Sequence, residues 1–356
     1  MLERPEHILV MRFSAIGDVA MTVPVIYALA KQYPNIRITV LSKPFARPFF
    51  EGLADNVSFM AADVKGEYKG VKGLNALYRR LTAKNFTAVA DLHSVLRTEY
   101  LRMRFKLGGF KVAHLDKNRK QKRQLIQYNN KRLEPLRQVV YAYADVFAKL
   151  GYPITLGNFH SLYGFGRGDL SKLEGIEPKK EGGLWIGIAP FAGHRGKIYP
   201  EEKMEQVVQT LLRRHPDCRI MLFGGGEREE DILSGWCKKY PQCCFVSGML
   251  NGLGEELTLM SWLDVMLSMD SANMHLASLV AVPVVSVWGA THPFAGFMGW
   301  NQSEKNAVQL DMPCRPCSIY GGKPCHRGDY ACLNNIAPDD IANKVEYVLR
   351  SEMQKK

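Results

Sequence analysis

The sequence predicts an α/β protein built from two doubly wound halves, each a parallel β-sheet covered by helices. Three observations predict it. Short continuous apolar runs such as Ile8–Met11, Leu184–Ala189 and Pro283–Trp288 recur between turn residues, as strands buried on both faces do. Segments with helical apolar spacing alternate with them, which favours parallel sheets over hairpins. At 356 residues the chain is long for one core and suits two.

The elements follow in order. Ile8–Met11 is the first strand, and a helix follows the turn Arg12–Asp18, with Met21, Val25 and Leu29 on its buried face. Pro24 is tolerated only near a first turn, so the helix is expected to start around Val19 to Val23; Tyr33-Pro34-Asn35 stops it. Ile36–Leu41, Val57–Ala61 and Phe86–Leu92 are the next strands. Leu115–Arg132 is polar and basic, and reads as a surface loop or as a helix that orders on binding. A helix is expected over Glu134–Leu150, stopped by Gly151 and Pro153.

Domain boundaries are expected at 1–170, a linker at 171–183 poor in apolar residues, and a second domain at 184–337, with a terminal helix in 338–356 that packs back on the first domain. In the second half, Leu184–Ala189, Arg219–Phe223, Phe245-Val246, Val265–Ser268 and Pro283–Trp288 read as strands. Pro200–Arg214, Asp231–Lys239, Leu257–Leu263, Met274–Val280 and Ile341–Met353 read as helices.

Composition narrows the class. With 46% hydrophobic and 23% charged residues this is a globular chain. No stretch reaches the ~20 apolar residues that span a bilayer. The start, Met1-Leu2-Glu3-Arg4-Pro5-Glu6-His7, lacks the apolar run of a secretory signal, so a cytoplasmic location is expected. The formal charge of +12 is concentrated: Arg97 to Arg137 hold thirteen lysines and arginines against Glu99, Asp116 and Glu134. Such a surface suits phosphates, on nucleic acid, an anionic membrane or a phosphorylated substrate; a solvated charge run is the plainer alternative.

Ligands of open parallel sheets bind beyond the carboxyl ends of the strands. Five loops are expected there: Arg12–Asp18, Asp91–Arg97, Pro190–Lys197, Gly224–Glu230 and Ser268–His275. No G-x-G-x-x-G fingerprint and no G-x-x-x-x-G-K-[ST] loop is present. In Asp270-Ser271-Ala272-Asn273-Met274-His275 a helix N-terminus gathers backbone N–H groups that favour an anion, and by residue type it is equally an ordinary capped helix. Asp18 is either a general base toward a hydroxyl or a capping carboxylate. Lys197, in Gly193-His194-Arg195-Gly196-Lys197, either neutralises a leaving diphosphate or sits in a solvated loop. Gly224-Gly225-Gly226 leaves room for a ribose or phosphate against the backbone.

Two of these motifs carry a resemblance. Ile8-Leu9-Val10-Met11-Arg12-Phe13-Ser14-Ala15-Ile16-Gly17-Asp18-Val19 and Asp270-Ser271-Ala272-Asn273-Met274-His275-Leu276-Ala277 resemble those of the ADP-heptose:lipopolysaccharide heptosyltransferases, glycosyltransferase family 9. The resemblance implies the GT-B fold, two Rossmann-like domains facing across a cleft. It also implies inverting, metal-independent transfer of heptose or a related sugar from a nucleotide-sugar to the lipopolysaccharide inner core. By this resemblance Asp18 is the base that deprotonates the acceptor hydroxyl, and Lys197 steadies the departing diphosphate. Gly193, His194, Gly225, Met249, Asp270, Ser271, Ala272 and His275 fall on the donor side, and Glu227 and Glu229 compete for the ribose. Arg12, Ser14, Gly17, His93 and Arg97 fall on the acceptor side.

The expected partners are a nucleotide-sugar, a phosphorylated lipid-linked glycan and an anionic membrane surface, with the protein peripheral at the inner face of the cytoplasmic membrane. Nucleic acid is not expected, because no recognition motif is present and base-stacking aromatics are sparse in the basic run. The alternative is a non-catalytic nucleotide- or anion-binding protein that contacts nucleic acid through residues 97–137. A hydrolase or epimerase of the same shape is a third reading. No cofactor is expected for catalysis. Cys314, Cys317, Cys325 and Cys332 have spacings that suit a structural zinc site, and reduced thiols are the other reading.

Overall fold

The computed structural model describes residues 6–354. Two compact units form. The first is the chain up to Asn118 together with Arg137–Leu162; the second is Arg119–Leu136 together with the chain from Tyr163 on. Among the described residues no helix is long and apolar enough to cross a membrane.

In the first unit, strands β1 (His7–Met11), β2 (Arg37–Ser42), β3 (Val57–Ala61), β4 (Ala88–Asp91) and β5 (Lys111–His114) form a parallel sheet in the order β3-β2-β1-β4-β5. Every residue of β1 is buried, the signature of a central strand covered on both sides. Helices α1 (Ile16–Ala20), α2 (Val23–Gln32), α3 (Arg47–Phe50), α4 (Gly70–Thr82) and α5 (Leu96–Leu107) connect the strands. The expected single helix after β1 is two, and Pro24 sits at the second position of α2, where its missing N–H breaks no helical bond. One layer of core joins Leu9, Met11 and Val89 of the sheet to Leu74, Leu77 and Leu81 of α4 and to Leu101 and Phe105 of α5.

Helix α6 (Arg119–Leu125) belongs to the second unit, while α7 (Val139–Lys149) returns to the first and packs on α2. The helix expected from Glu134 therefore starts later. Pro135 pushes Glu134 out of helical geometry, and the Leu136 N–H bonds the Phe294 carbonyl instead.

The second unit pairs β6 (Trp185–Ala189), β7 (Arg219–Leu222), β8 (Cys243–Phe245), β9 (Val265–Met269), β10 (Val284–Val287) and β11 (Ala307–Val308) in the parallel order β11-β10-β9-β6-β7-β8. Its helices are α8 (Glu201–Arg214), α9 (Glu227–Lys239), α10 (Leu253–Met260), α11 (Ala272–Leu279), α12 (Ala331–Asn334) and α13 (Pro338–Met353).

Three boundary expectations are corrected. The terminal helix α13, expected against the first domain, belongs to the second unit, where Ile341, Val345 and Val348 enter the core with Val285, Val287 and Leu211. The expected linker at 171–183 is part of the second unit, where Lys179 ion-pairs with Asp264 at 2.6 Å. The basic segment is docked rather than loose. Leu125 is fully buried with Ala295 and Ile319, and the Lys122 ammonium lies 4.9 Å from the Phe297 ring centroid.

Candidate functional site

Each unit presents its candidate residues at a topological switch point. In the first, the chain runs from β1 outward to β3 and returns to β4 on the other flank of β1. The loops leaving β1 and β4 therefore diverge, and a crevice opens at their carboxyl ends, where Met11 pairs with Asp91.

Arg12 and Asp18 form the charged centre of this half. The Arg12 guanidinium, only 7% exposed, donates to the Leu92 carbonyl at 2.6 Å and pairs with the Asp18 carboxylate at 2.5 Å. It also lies over the Tyr143 ring. The Ala15 N–H donates to the same carboxylate at 3.3 Å. Asp18 is thus held in one orientation yet keeps part of its side chain open to solvent. It does cap its helix, as the plainer reading expects, and that does not remove it from the crevice.

The opposite wall is organised by Asp91, which is fully buried. Its carboxylate accepts the N–H groups of His93 and Ser94, both at 2.9 Å, and pairs with Arg102 at 3.1 Å. This turns His93 toward Ser14, with Nε2 3.4 Å from the Ser14 Oγ. Burial, with the Arg12 and Lys117 charges adding to it and Asp18 opposing, pushes the His93 imidazole down to about 3. It is therefore neutral near pH 7 and serves as a hydrogen-bonding group, not a cation. Gly17 is buried within α1, and Arg97 is half-buried at the start of α5.

In the second unit the order reverses between β9 and β6, where Ala189 pairs with Ser268. Lys197, from the loop after β6, reaches Asp270, from the loop after β9, at 2.9 Å across that point. Asp270 is 4% exposed and also accepts a 2.7 Å hydrogen bond from the Thr291 hydroxyl, so both groups aim the lysine. Ser271 caps α11 by position but spends its hydroxyl on Ser268, 3.2 Å away, so no side chain covers the first N–H groups of that helix. Ala272 begins the helix and His275 is buried one turn on.

Close approach of backbone explains the glycines here. A Cβ on Gly196 would sit 2.8 Å from the Ala290 Cβ and 2.9 Å from the Gly321 carbonyl oxygen. Gly321 itself has φ +83°, and a Cβ there would meet the Lys197 side chain at 2.7 Å. The Cys-rich loop therefore forms a wall along the lysine stem. Gly193 and His194 are exposed on the same loop as Lys197.

The remaining donor-side residues lie on their own turns. The Gly225 N–H is taken by the Glu229 carboxylate at 2.9 Å, and the Gly226 N–H by Glu230 at 3.2 Å. Glu227 is exposed at the first position of α9, free of the backbone contact that Glu229 makes. Met249 is partly exposed beside the Cys244 sulfur, 3.4 Å away. Thr291 and Tyr143 escaped the sequence reading. Asp91 was read as the start of a candidate loop, and the structure adds that its carboxylate, at the end of β4, organises that loop; Thr291 left no signal.

The four grouped cysteines converge on one small cavity, lined also by Arg315, Arg327 and Tyr330. All four are reduced. Among the described residues no three His, Cys, Asp or Glu side chains are set as metal ligands, so the zinc expected from spacing does not find a formed tetrahedron here.

The comparisons agree with this geometry. The family model described as glycosyltransferase family 9 (heptosyltransferase) matches residues 74–323. Lipooligosaccharide heptosyltransferase 2 of Campylobacter jejuni is 23% identical over 174 residues, 47% of this chain and 51% of that protein. The chain thus spans about half the length of the Campylobacter relatives it matches. The lipopolysaccharide core heptosyltransferase OpsX of Haemophilus influenzae is 23% identical over 296 residues, 82% of this chain and 81% of that one.

Among solved structures, the family 9 glycosyl transferase of Veillonella parvula superposes with a TM-score of 0.72 at 19% identity over 99% of both chains. The E. coli heptosyltransferase WaaC with ADP does so with a TM-score of 0.65 at 18% identity, over 96% of this chain and 99% of that one. These superpositions speak to fold, and the fold is GT-B. With the motifs in place at both switch points and the family model covering most of the length, this chain belongs to glycosyltransferase family 9.

Proposed function

We propose that the chain is an inverting, metal-independent glycosyltransferase. It moves heptose from ADP-heptose to the phosphorylated, lipid-linked inner core of lipopolysaccharide at the cytoplasmic face of the membrane. The observation that carries this is the Lys197–Asp270 pair, buttressed by Thr291, beside the uncapped N-terminus of α11. A cation and backbone N–H groups at one switch point suit a diphosphate that gains charge as it leaves. The E. coli WaaC structures with ADP and with ADP-2-deoxy-2-fluoro heptose support the choice of donor.

The step follows from these residues. The Asp18 carboxylate accepts the proton of the acceptor hydroxyl as its oxygen bonds to the anomeric carbon. The bond from that carbon to the diphosphate oxygen breaks, and the nucleotide leaves with the electron pair. Lys197 neutralises the charge it carries away, while Asp270 and Thr291 keep the ammonium aimed. Neutral His93 and Ser14 hold the acceptor by hydrogen bonds, and Arg12 and Arg97 meet its phosphates. Glu227, exposed on α9, is the ribose contact.

ADP-heptose at ~100 times its dissociation constant should stabilise the chain by about 2.7 kcal/mol in a thermal-shift panel, more than other sugar nucleotides do. Adding the glycan acceptor should then release ADP and lengthen the glycan by one heptose. No stabilisation by any sugar nucleotide, with salt-dependent oligonucleotide binding in its place, would favour the nucleic-acid alternative.

The cysteine cavity is proposed as a structural zinc site, which the four thiols lining it would hold. Its support is Arg315, 4% exposed, whose guanidinium donates to the carbonyls of Gly289 at 2.5 Å and Thr291 at 2.9 Å and, among the described residues, is in no ion pair. A buried cation is costly without compensating charge. Burial pushes the Cys332 thiol up to about 11 and raises Cys317, so near pH 7 thiolates there need a bound metal, and they would add to the negative charge that Asp311 already supplies. Metal analysis should find one zinc per chain, lost in Cys317→Ser; a folded, metal-free wild type would refute it.

A further inference from the structure

Helix α5 is apolar on two opposite sides. One row, Thr98, Leu101 and Phe105, is fully buried against α4 and the sheet. At 100° per residue the row Leu96, Tyr100, Met103 and Leu107 lies on the other side of the axis in a stripe about 60° wide. Leu96 is 86% exposed, Met103 49% and Leu107 78%. Tyr100 stands between them, its hydroxyl tied to Asn75.

Cations flank the stripe. Arg97 and Arg104 fall on one side, Lys106 and the carboxylate of Glu99 on the other, so cations outnumber the single acid three to one, and among the described residues none of the three cations is in an ion pair. Arg104 instead donates to the Asn75 side chain and stacks 4.7 Å from the Tyr78 ring centroid, which holds its guanidinium at the surface.

We propose that this row is the surface by which the first unit lies on an anionic lipid bilayer. Leu96, Met103 and Leu107 enter the boundary between headgroups and acyl chains, and Arg104 and Lys106 meet the lipid phosphates. Exposed leucines between arginines and a lysine match the chemistry of that boundary. A second copy of the chain is a poor occupant, because three side chains in one row fall far short of the ~800 Å² per partner that a stable interface needs.

The position supports a lipid surface as well. α5 begins where the loop holding His93 and Ser94 ends, so a bilayer along the helix would deliver a lipid-linked acceptor beside Ser14 and Asp18. In this respect the inference rests on the proposed acceptor, while the lipid contact itself does not.

The test uses the full chain and vesicles of phosphatidylcholine, with and without phosphatidylglycerol. Wild type should float with the mixed vesicles and bind less as salt rises. The exposed-site variant Leu96→Ser/Met103→Ser/Leu107→Ser should lose about tenfold or more of that binding, with its melting temperature and its turnover on a delipidated glycan unchanged. Arg104→Gln/Lys106→Gln should weaken binding to anionic vesicles and leave the weak binding to phosphatidylcholine as it was. Equal flotation of the serine variant and wild type overturns the proposal. So does a dimer-to-monomer change in that variant without loss of flotation, which would assign the row to a second copy. If neither protein turns over any glycan while the serine variant alone loses flotation, the transferase reading fails and the lipid contact stands.

Discussion

Asp18→Asn should lower turnover by ~10²–10⁴-fold while binding of the nucleotide-sugar stays within about twofold of wild type. The amide keeps the shape of the carboxylate but cannot take the acceptor proton, so the loss falls on kcat and not on donor affinity. The substitution also removes the charge that pairs with Arg12 at 2.5 Å, although the Leu92 carbonyl and the Tyr143 ring still hold that guanidinium. Some loss of melting temperature is therefore expected alongside the loss of turnover. Asp18→Ala should be as inactive as Asp18→Asn whatever its stability, since both lack a base. Near-normal turnover in either variant, measured as ADP released per glycan extended, would remove Asp18 from the chemistry.

Lys197→Met should cost ~10²–10³-fold in kcat, the range found when one preorganised charge or donor at a leaving oxyanion is removed. Methionine keeps most of the stem that runs along Gly321 and removes the ammonium. The variant strands a buried carboxylate, because Asp270 is left with the Thr291 hydroxyl as its partner at 2.7 Å. Lys197→Met/Asp270→Asn is the informative companion. It should regain stability over Lys197→Met without regaining turnover, which separates the lysine's electrostatic role from its structural one. If the double variant recovered activity, the lysine would matter only as the partner of Asp270.

Much of the fold was legible because its strands are buried on both faces and therefore read as unbroken apolar runs. β1, β3, β6, β9 and β10 fall within a residue or two of expectation. The short edge strands β5 and β11 were not visible, since Lys111–His114 and Ala307-Val308 carry too little apolar pattern to stand out. Domain membership was misread where chain order and packing part company. Nothing local in Arg119–Leu136 says that Leu125 will bury itself beside Ala295 and Ile319, because those partners lie far along the chain.

The site shows the same division. Asp18, Lys197 and Asp270 were singled out by the family resemblance, since by residue type each was equally open to a capping or solvated role. Thr291 was not, since a lone threonine after an apolar run is common, and only the fold brings its hydroxyl within 2.7 Å of Asp270. Only the fold shows that one of the two glutamates after the Gly-rich turn, Glu229, takes the Gly225 N–H.

The path of the chain has a consequence for its birth on the ribosome. It leaves the first unit at Asn118, visits the second, returns at Arg137 and departs again after Leu162. At synthesis rates of ~5–20 residues per second, Leu125 and its basic neighbours emerge roughly 10–40 s before Ile319, against which they will finally settle. Through that interval a nascent segment carrying both grease and positive charge is bare.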